Sequence, residues 1–214
     1  MRMNYFKKVG YKRIVMTIVG NIFIGLGIGI FRYAAMGNDP YTAMNLSLSF
    51  CVGMSYPVFQ ILFNLGAFVI QLIWGRELIG IGTVVNAFFL GYIVDFFYHI
   101  LLLLPFGDLV FWQSVIVVCI GVVICSFGLS LYQTSDVGVA PYDALSLITQ
   151  KKLPKIPYFW HRMFDDALAA LISFVSTGFT NIGLGSLVSA FGLGPFIHFF
   201  NKHFSEKLLK NMEE

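Results

Sequence analysis

Four residues that are expensive to bury, His161, Arg162, Asp165 and Asp166, fall inside one apolar stretch, residues 158–177. An Arg or Asp at the centre of a bilayer costs about 2.5–3.5 kcal/mol on insertion scales, so such residues face a cavity or a partner. Helical spacing makes Arg162 and Asp166 neighbours, and likewise His161 and Asp165. Two readings follow. The four could neutralise one another near the membrane surface, with Arg162 reaching outward, or they could bind a solute or an ion. Asp165 and Asp166 lie ~12 Å along the helix, deeper than an interface explains. Asp95 and His198 form a second candidate set, because a carboxylate and an imidazole are the usual proton-relay groups. A local pair between Asp95 and His99, one helical turn on, explains the same residues equally well. Arg32 and Asp39 offer another local pair.

A third set sits where the chain turns. Gly37-Asn38-Asp39-Pro40-Tyr41-Thr42-Ala43 returns as Gly138-Val139-Ala140-Pro141-Tyr142-Asp143-Ala144. Glycine permits a tight turn, and proline, with φ fixed and no amide to satisfy, opens a helix. Free backbone amides and the positive dipole end at a helix start favour anionic groups. Asp39, Pro40, Tyr41, Pro141, Tyr142 and Asp143 are therefore candidates for solute or ion binding. Asp143 replaces Thr42, so the two joints are not equivalent. The plain alternative is two loop-to-helix joints, with Asp143 satisfying the helix dipole.

The elements that must position these groups are membrane helices. The 214 residues are 57% hydrophobic and 12% charged, with mean hydropathy +0.78, whereas soluble domains carry about 25% charge. We expect an all-α polytopic membrane protein forming a single transmembrane domain over 1–214. Six transmembrane helices are expected at about 14–34, 57–74, 81–104, 110–132, 158–177 and 182–203, each close to the ~20 residues that cross a bilayer. The segments 40–54 and 141–151 reach only ~22 Å and ~16 Å and read as re-entrant or interfacial half-helices. The first apolar run follows a basic leader but is longer than the ~7–15-residue core of a signal peptide, so it is expected to be retained. Cys51, Cys119 and Cys125 have no metal or redox spacing. No metal and no cofactor is expected. There is no nucleophile-elbow, His-Glu-x-x-His, P-loop or dinucleotide pattern, and adjacent Asp165 and Asp166 point about 100° apart on a helix, so no enzyme is expected.

The chain repeats. Gly20 and Gly27 match Gly121 and Gly128, Ile79-Gly80-Ile81-Gly82-Thr83 matches Ile182-Gly183-Leu184-Gly185-Ser186, and Asp95 falls opposite His198. The middle spans agree more loosely, with Phe63-Asn64 opposite Phe164-Asp165. Repeat 1 covers about 14–104 and repeat 2 about 110–204. Three spans per repeat is an odd number, so the second repeat would be inverted in the membrane. Charge agrees with both termini being cytoplasmic. Arg2, Lys7, Lys8, Lys12, Arg13, Arg76, Lys151, Lys152, Lys155, Lys202, Lys207 and Lys210 would share one side, against Arg32 and Asp108 on the other. Counting both half-helices as spans gives eight crossings and moves Arg76 outside. The basic residues flank apolar runs, which speaks for topology and against nucleic acid.

Pro40-Tyr41-Thr42-Ala43, Pro141-Tyr142-Asp143-Ala144 and Ile81-Gly82-Thr83-Val84-Val85-Asn86-Ala87 with Gly91 resemble the YczE/YyaS/YitT family of bacterial integral membrane proteins. Tyr stands at the joints where the family pattern often has Trp. The resemblance implies a multi-pass protein of the bacterial cytoplasmic membrane. Inverted repeats with short helices point to a secondary transporter. The leading expectation is a transporter or solute-binding membrane component with lipids as partners and an anionic or zwitterionic small solute. The aspartates suit proton or cation coupling. The alternative is a non-transporting partner of a transport, export or biosynthetic complex. No feature of the sequence specifies an oligomeric state.

Overall fold

A computed structural model describes residues 10–105 and 109–213, so Arg2, Lys7, Lys8 and Asp108 lie outside the described residues. The described chain is helical, without strands. In order the helices are α1 (Tyr11–Ala34), α2 (Pro40–Val52), α3 (Tyr56–Trp74), α4 (Ile81–Leu102), α5 (Phe111–Thr134), α6 (Pro141–Lys152), α7 (Tyr158–Thr177), α8 (Leu184–Phe200) and α9 (Glu206–Glu213). A 3-10 turn at Arg76–Leu78 precedes α4, and a π-turn at Asn201–Ser205 joins α8 to α9. Helices are what a lipid-solvated backbone requires, because every amide and carbonyl must be satisfied within the chain.

Five segments are long and apolar enough to cross a membrane: Tyr11–Ala34, Tyr56–Trp74, Ile81–Leu102, Phe111–Thr134 and Leu184–Asn211. The chain is thus a multi-pass membrane protein. The last segment departs from the simple expected span at 182–203. Its helix starts at Leu184, contains Pro195 and continues through the π-turn into α9. Helix α7 has 20 residues but carries Arg162, Asp165 and Asp166. Helices α2 and α6 have 13 and 12 residues, ~20 Å and ~18 Å at the α-helical rise. Each opens on its proline, and α2 stops at Gly53, which is left-handed (φ 69°).

Helices α1 and α5 form the centre and cross at their glycines. A Cβ on Gly20 would lie 2.8 Å from Gly128 O, and one on Gly128 would lie 2.6 Å from Ile24 N. Close backbone approach is how helices associate where lipid removes the hydrophobic drive. Helix α4 packs on α1 and α8 packs on α5, while α2 packs on α7 and α6 on α3. Ile24, Ile28, Phe31, Val118, Val122, Cys125 and Leu129 fill the core between them, and large apolar side chains of α3, α4, α7 and α8 are exposed, as lipid-facing residues should be.

Both glycine joints are seated on the loops before α4 and α8. Gly82 N donates to Val137 O (2.9 Å) and Gly185 N to Met36 O (2.7 Å); Val139 N donates to Leu78 O and Asn38 N to Asn181 O, each at 3.0 Å. Gln71, fully buried on α3, ties one joint further by donating to Leu78 O and Val139 O. Gln71→Leu should lower stability by about 0.5–1.5 kcal/mol, since it removes one of the donors on each carbonyl while Thr83 still donates to both. Thermal unfolding of the purified chain in detergent measures it, and an unchanged transition would refute this role.

One end of the molecule collects the basic residues. Arg13 donates to Ser135 O (3.1 Å), Thr134 reaches Asn201, and Lys151 pairs with Glu77. The Lys151 hydrogen bond holds the exposed Glu77 carboxyl below its ordinary value. At the opposite end Arg32 is the one Lys or Arg among the described residues.

Candidate functional site

Arg162 on α7 is bound by two carboxylates. Its Nε donates to Asp166 Oδ2 (3.1 Å), one turn on in the same helix, and its Nη1 pairs with Asp143 in the first turn of α6. The guanidinium carbon lies 5.1 Å from the centre of the Tyr142 ring, a cation–π arrangement that strengthens as water is excluded. Tyr142 donates its hydroxyl to Asp166 Oδ1 (2.9 Å). All three charged side chains are largely buried, Arg162 being 16% exposed. Buried ions survive only when paired and hydrogen-bonded, and this set meets that condition.

The two joints converge here. The rings of Tyr41 and Tyr142 stack at 4.3 Å between centroids, so the starts of α2 and α6 meet. Tyr41 donates to Asn64 Oδ1 (3.0 Å) as Tyr142 does to Asp166. That corrects the sequence alignment of the middle spans: Asn64 is matched in role by Asp166, one residue beyond the expected Asp165. The tyrosine hydroxyl fixes the register because it must find an acceptor at a set height on the neighbouring helix. Asp39 caps α2, its Oδ1 accepting from Thr42 N (3.1 Å). Ala140 opens α6 without a side-chain cap, and Ala140 N donates instead to the Tyr132 hydroxyl.

Between the joints lies a central cavity of about 40 Å³, walled by Asp39, Tyr41, Tyr142, Asp143 and Arg162 together with Asn86 and apolar side chains. A second cavity of about 460 Å³ faces the basic end and is bordered by Tyr158, Arg162, Asp166 and His198. The two share Arg162 and Leu193. At the opposite end, cavities of about 560 and 600 Å³ are both bordered by Arg32.

Several expected pairings differ. Arg32 pairs with Asp95 and not with Asp39, and its guanidinium lies 4.3 Å from the Tyr98 ring centre and 5.5 Å from that of Tyr56. Asp39 is held at the joint by its own helix start, out of that pairing. His99 bonds the Asp95 backbone carbonyl (2.7 Å), not its carboxylate, because a side chain one turn on folds back onto the helix carbonyl. Asp165 accepts from Ser146 (2.5 Å), and His161 Nε2 is buried without a partner. Asp95 and His198 line different cavities, one at each end. Pro40 and Pro141 each take the first position of their short helix.

Sequence reasoning passed over the tyrosine stack and the buried amides Gln60 and Gln71, and used Asn64 only as the counterpart of Asp165. Their signal was present: polar amides recurring in an apolar span must face protein. Among the described residues, no three His, Cys, Asp or Glu side chains gather closely enough to hold a metal ion.

Residues 11–202 match a family of unknown function, DUF6198. The chain is 28% identical over 185 residues to the uncharacterised membrane protein YczE of Bacillus subtilis strain 168, covering 84% of this chain and 81% of that one. It is 23% identical over 197 residues to the uncharacterised protein YyaS of the same strain (88% and 94% covered). An uncharacterised protein of Haemophilus influenzae is 24% identical over 193 residues (89% and 84% covered). No solved structure matches.

Proposed function

The chain belongs to the DUF6198 family of membrane proteins, with YczE and YyaS among its relatives, and we propose that it is a transporter or solute-binding component for a small anionic or zwitterionic solute. One observation carries this reading: two short helices begin at one central cavity beside Arg162, a guanidinium held by two aspartates. Arg162 also borders the cavity of about 460 Å³, which has the room for a small solute that the central cavity of about 40 Å³ lacks. Helix starts turned toward a mid-protein cavity are the usual device for binding a solute inside a membrane. The larger cavity bordered by Arg162 offers a path from the basic end.

The proposal includes six crossings in two inverted halves, with the site between them and both termini in the cytoplasm. Reciprocal contacts support the inversion: the joint of each half is seated on the last span of the other, and the short helix of each packs on the middle span of the other. The Glu77–Lys151 pair supports six crossings, because eight would separate Arg76 from Lys151 by the bilayer. Single cysteines in place of Arg76 and Lys152 should be labelled from the same side; opposite-side labelling would overturn this topology.

Solute handling is tested on the purified full-length chain. Amino acids and small carboxylic acids are screened for thermal stabilisation, and a hit is followed into liposomes. Asp166→Asn and Asp165→Asn should abolish uptake while leaving expression intact. A double Asn variant with full uptake would sink the assignment. Uptake that appears only with co-purified subunits would favour the accessory role.

A further inference from the structure

We infer that Asp39 is a proton-binding site and carries its proton in the conformation described above. Asp39 is 7% exposed and lines the central cavity. Its Oδ1 accepts from Thr42 N, while Oδ2 is buried without a hydrogen-bond partner; the buried Thr42 hydroxyl beside the carboxyl likewise makes no hydrogen bond. An ionised carboxylate with one oxygen unsatisfied is costly away from water, and a neutral carboxylic acid much less so.

The charges around the cavity point the same way. Among the described residues, Tyr41 on α2, Tyr56 on α3, Cys125 on α5, Tyr142 and Asp143 on α6, and Arg162 and Asp166 on α7 are the titratable and charged groups around Asp39. Helices α1, α4 and α8 present Ile24, Ile28, Asn86, Leu90 and Leu193, which carry no charge. Three buried carboxylates, Asp39, Asp143 and Asp166, therefore share one cation, and Arg162 is engaged by the latter two. A proton on Asp39 removes the excess negative charge. A hard metal cation does not fit as the occupant, because it needs about six oxygen ligands and the remaining wall is largely apolar.

When the proton leaves Asp39 Oδ2 for water, the resulting carboxylate competes with Asp143 and Asp166 for Arg162. Because Arg162 also borders the larger cavity, the proton and that cavity become linked. This link, though not the proton site itself, rests on the solute-handling reading.

Infrared spectroscopy of the purified full-length chain tests the site without any solute. At neutral pH the spectrum should contain a protonated-carboxyl C=O band that disappears as the pH is raised. Asp39→Asn should remove that band and still cap α2, since Asn caps as well as Asp; Asp95→Asn should leave it. If Asp39→Asn does not accumulate, Asp39→Glu should keep the band at a shifted frequency. No protonated-carboxyl band at neutral pH, or a band unchanged by substitution at Asp39, would overturn the proposal. Loss of the band assignment leaves the uptake experiments untouched, and failure of uptake leaves the proton site standing.

Discussion

Arg162→Met should destabilise the folded protein by about 3–5 kcal/mol, the cost of leaving a buried partner charge uncompensated. Asp143 and Asp166 would then both be left without their counter-charge, with Tyr142 still donating to Asp166. The protein itself indicates the rescue. In the other half the comparable places hold Thr42, Gln60 and Asn64, and Asn64 serves Tyr41 as Asp166 serves Tyr142. The triple variant Asp143→Thr, Arg162→Gln, Asp166→Asn should therefore recover most of the lost stability, since replacing a whole buried ion network is often neutral whereas breaking one is not. It should also lose solute uptake. Thermal unfolding in one detergent compares the three proteins. Arg162→Met melting with the wild type would mean that the aspartates need no counter-charge.

Gly37→Ala and Gly138→Ala should each prevent the joints from seating. Their φ values are 96° and 104°, a region that costs a residue with a Cβ about 1–3 kcal/mol. The added methyl would also lie 2.4 Å from Gly183 N at Gly37 and 2.3 Å from Gly80 N at Gly138. Both neighbours are backbone, so overpacking adds about 1–3 kcal/mol. Gly66→Ala is the control, because nothing lies within 4 Å of a Cβ there. Sharply reduced yield of folded protein is expected for the two joint variants and wild-type yield for the control, read by size-exclusion chromatography. Equal yields from all three would show that the joints tolerate a wider turn.

The repeated glycine-proline joints were legible because each residue acts locally: Pro40 and Pro141 start helices wherever they fall, and glycine opens a turn. Membrane insertion was legible for the same reason, since a run of apolar residues has one solvent that suits it. Arg162–Asp166 could be read as well, being one helical turn apart. Asp143 as the second partner could not, because α6 and α7 meet through tertiary packing. Arg32 shows the limit most clearly. Asp39 is its near neighbour in sequence, yet Arg32 pairs with Asp95, carried to it by the packing of α4 on α1.

By itself, then, the sequence determined a helical membrane chain with a glycine-proline joint that occurs twice and a short list of costly polar groups. Those properties follow from composition and local stereochemistry. Tertiary structure alone decided that the starts of α2 and α6 meet, that Tyr41 stacks on Tyr142, and that Asp39 faces a cavity whose cation is already engaged. The reason is physical. The α1–α5 glycine crossing sets how close the halves come, and only that approach determines which buried charges share a partner.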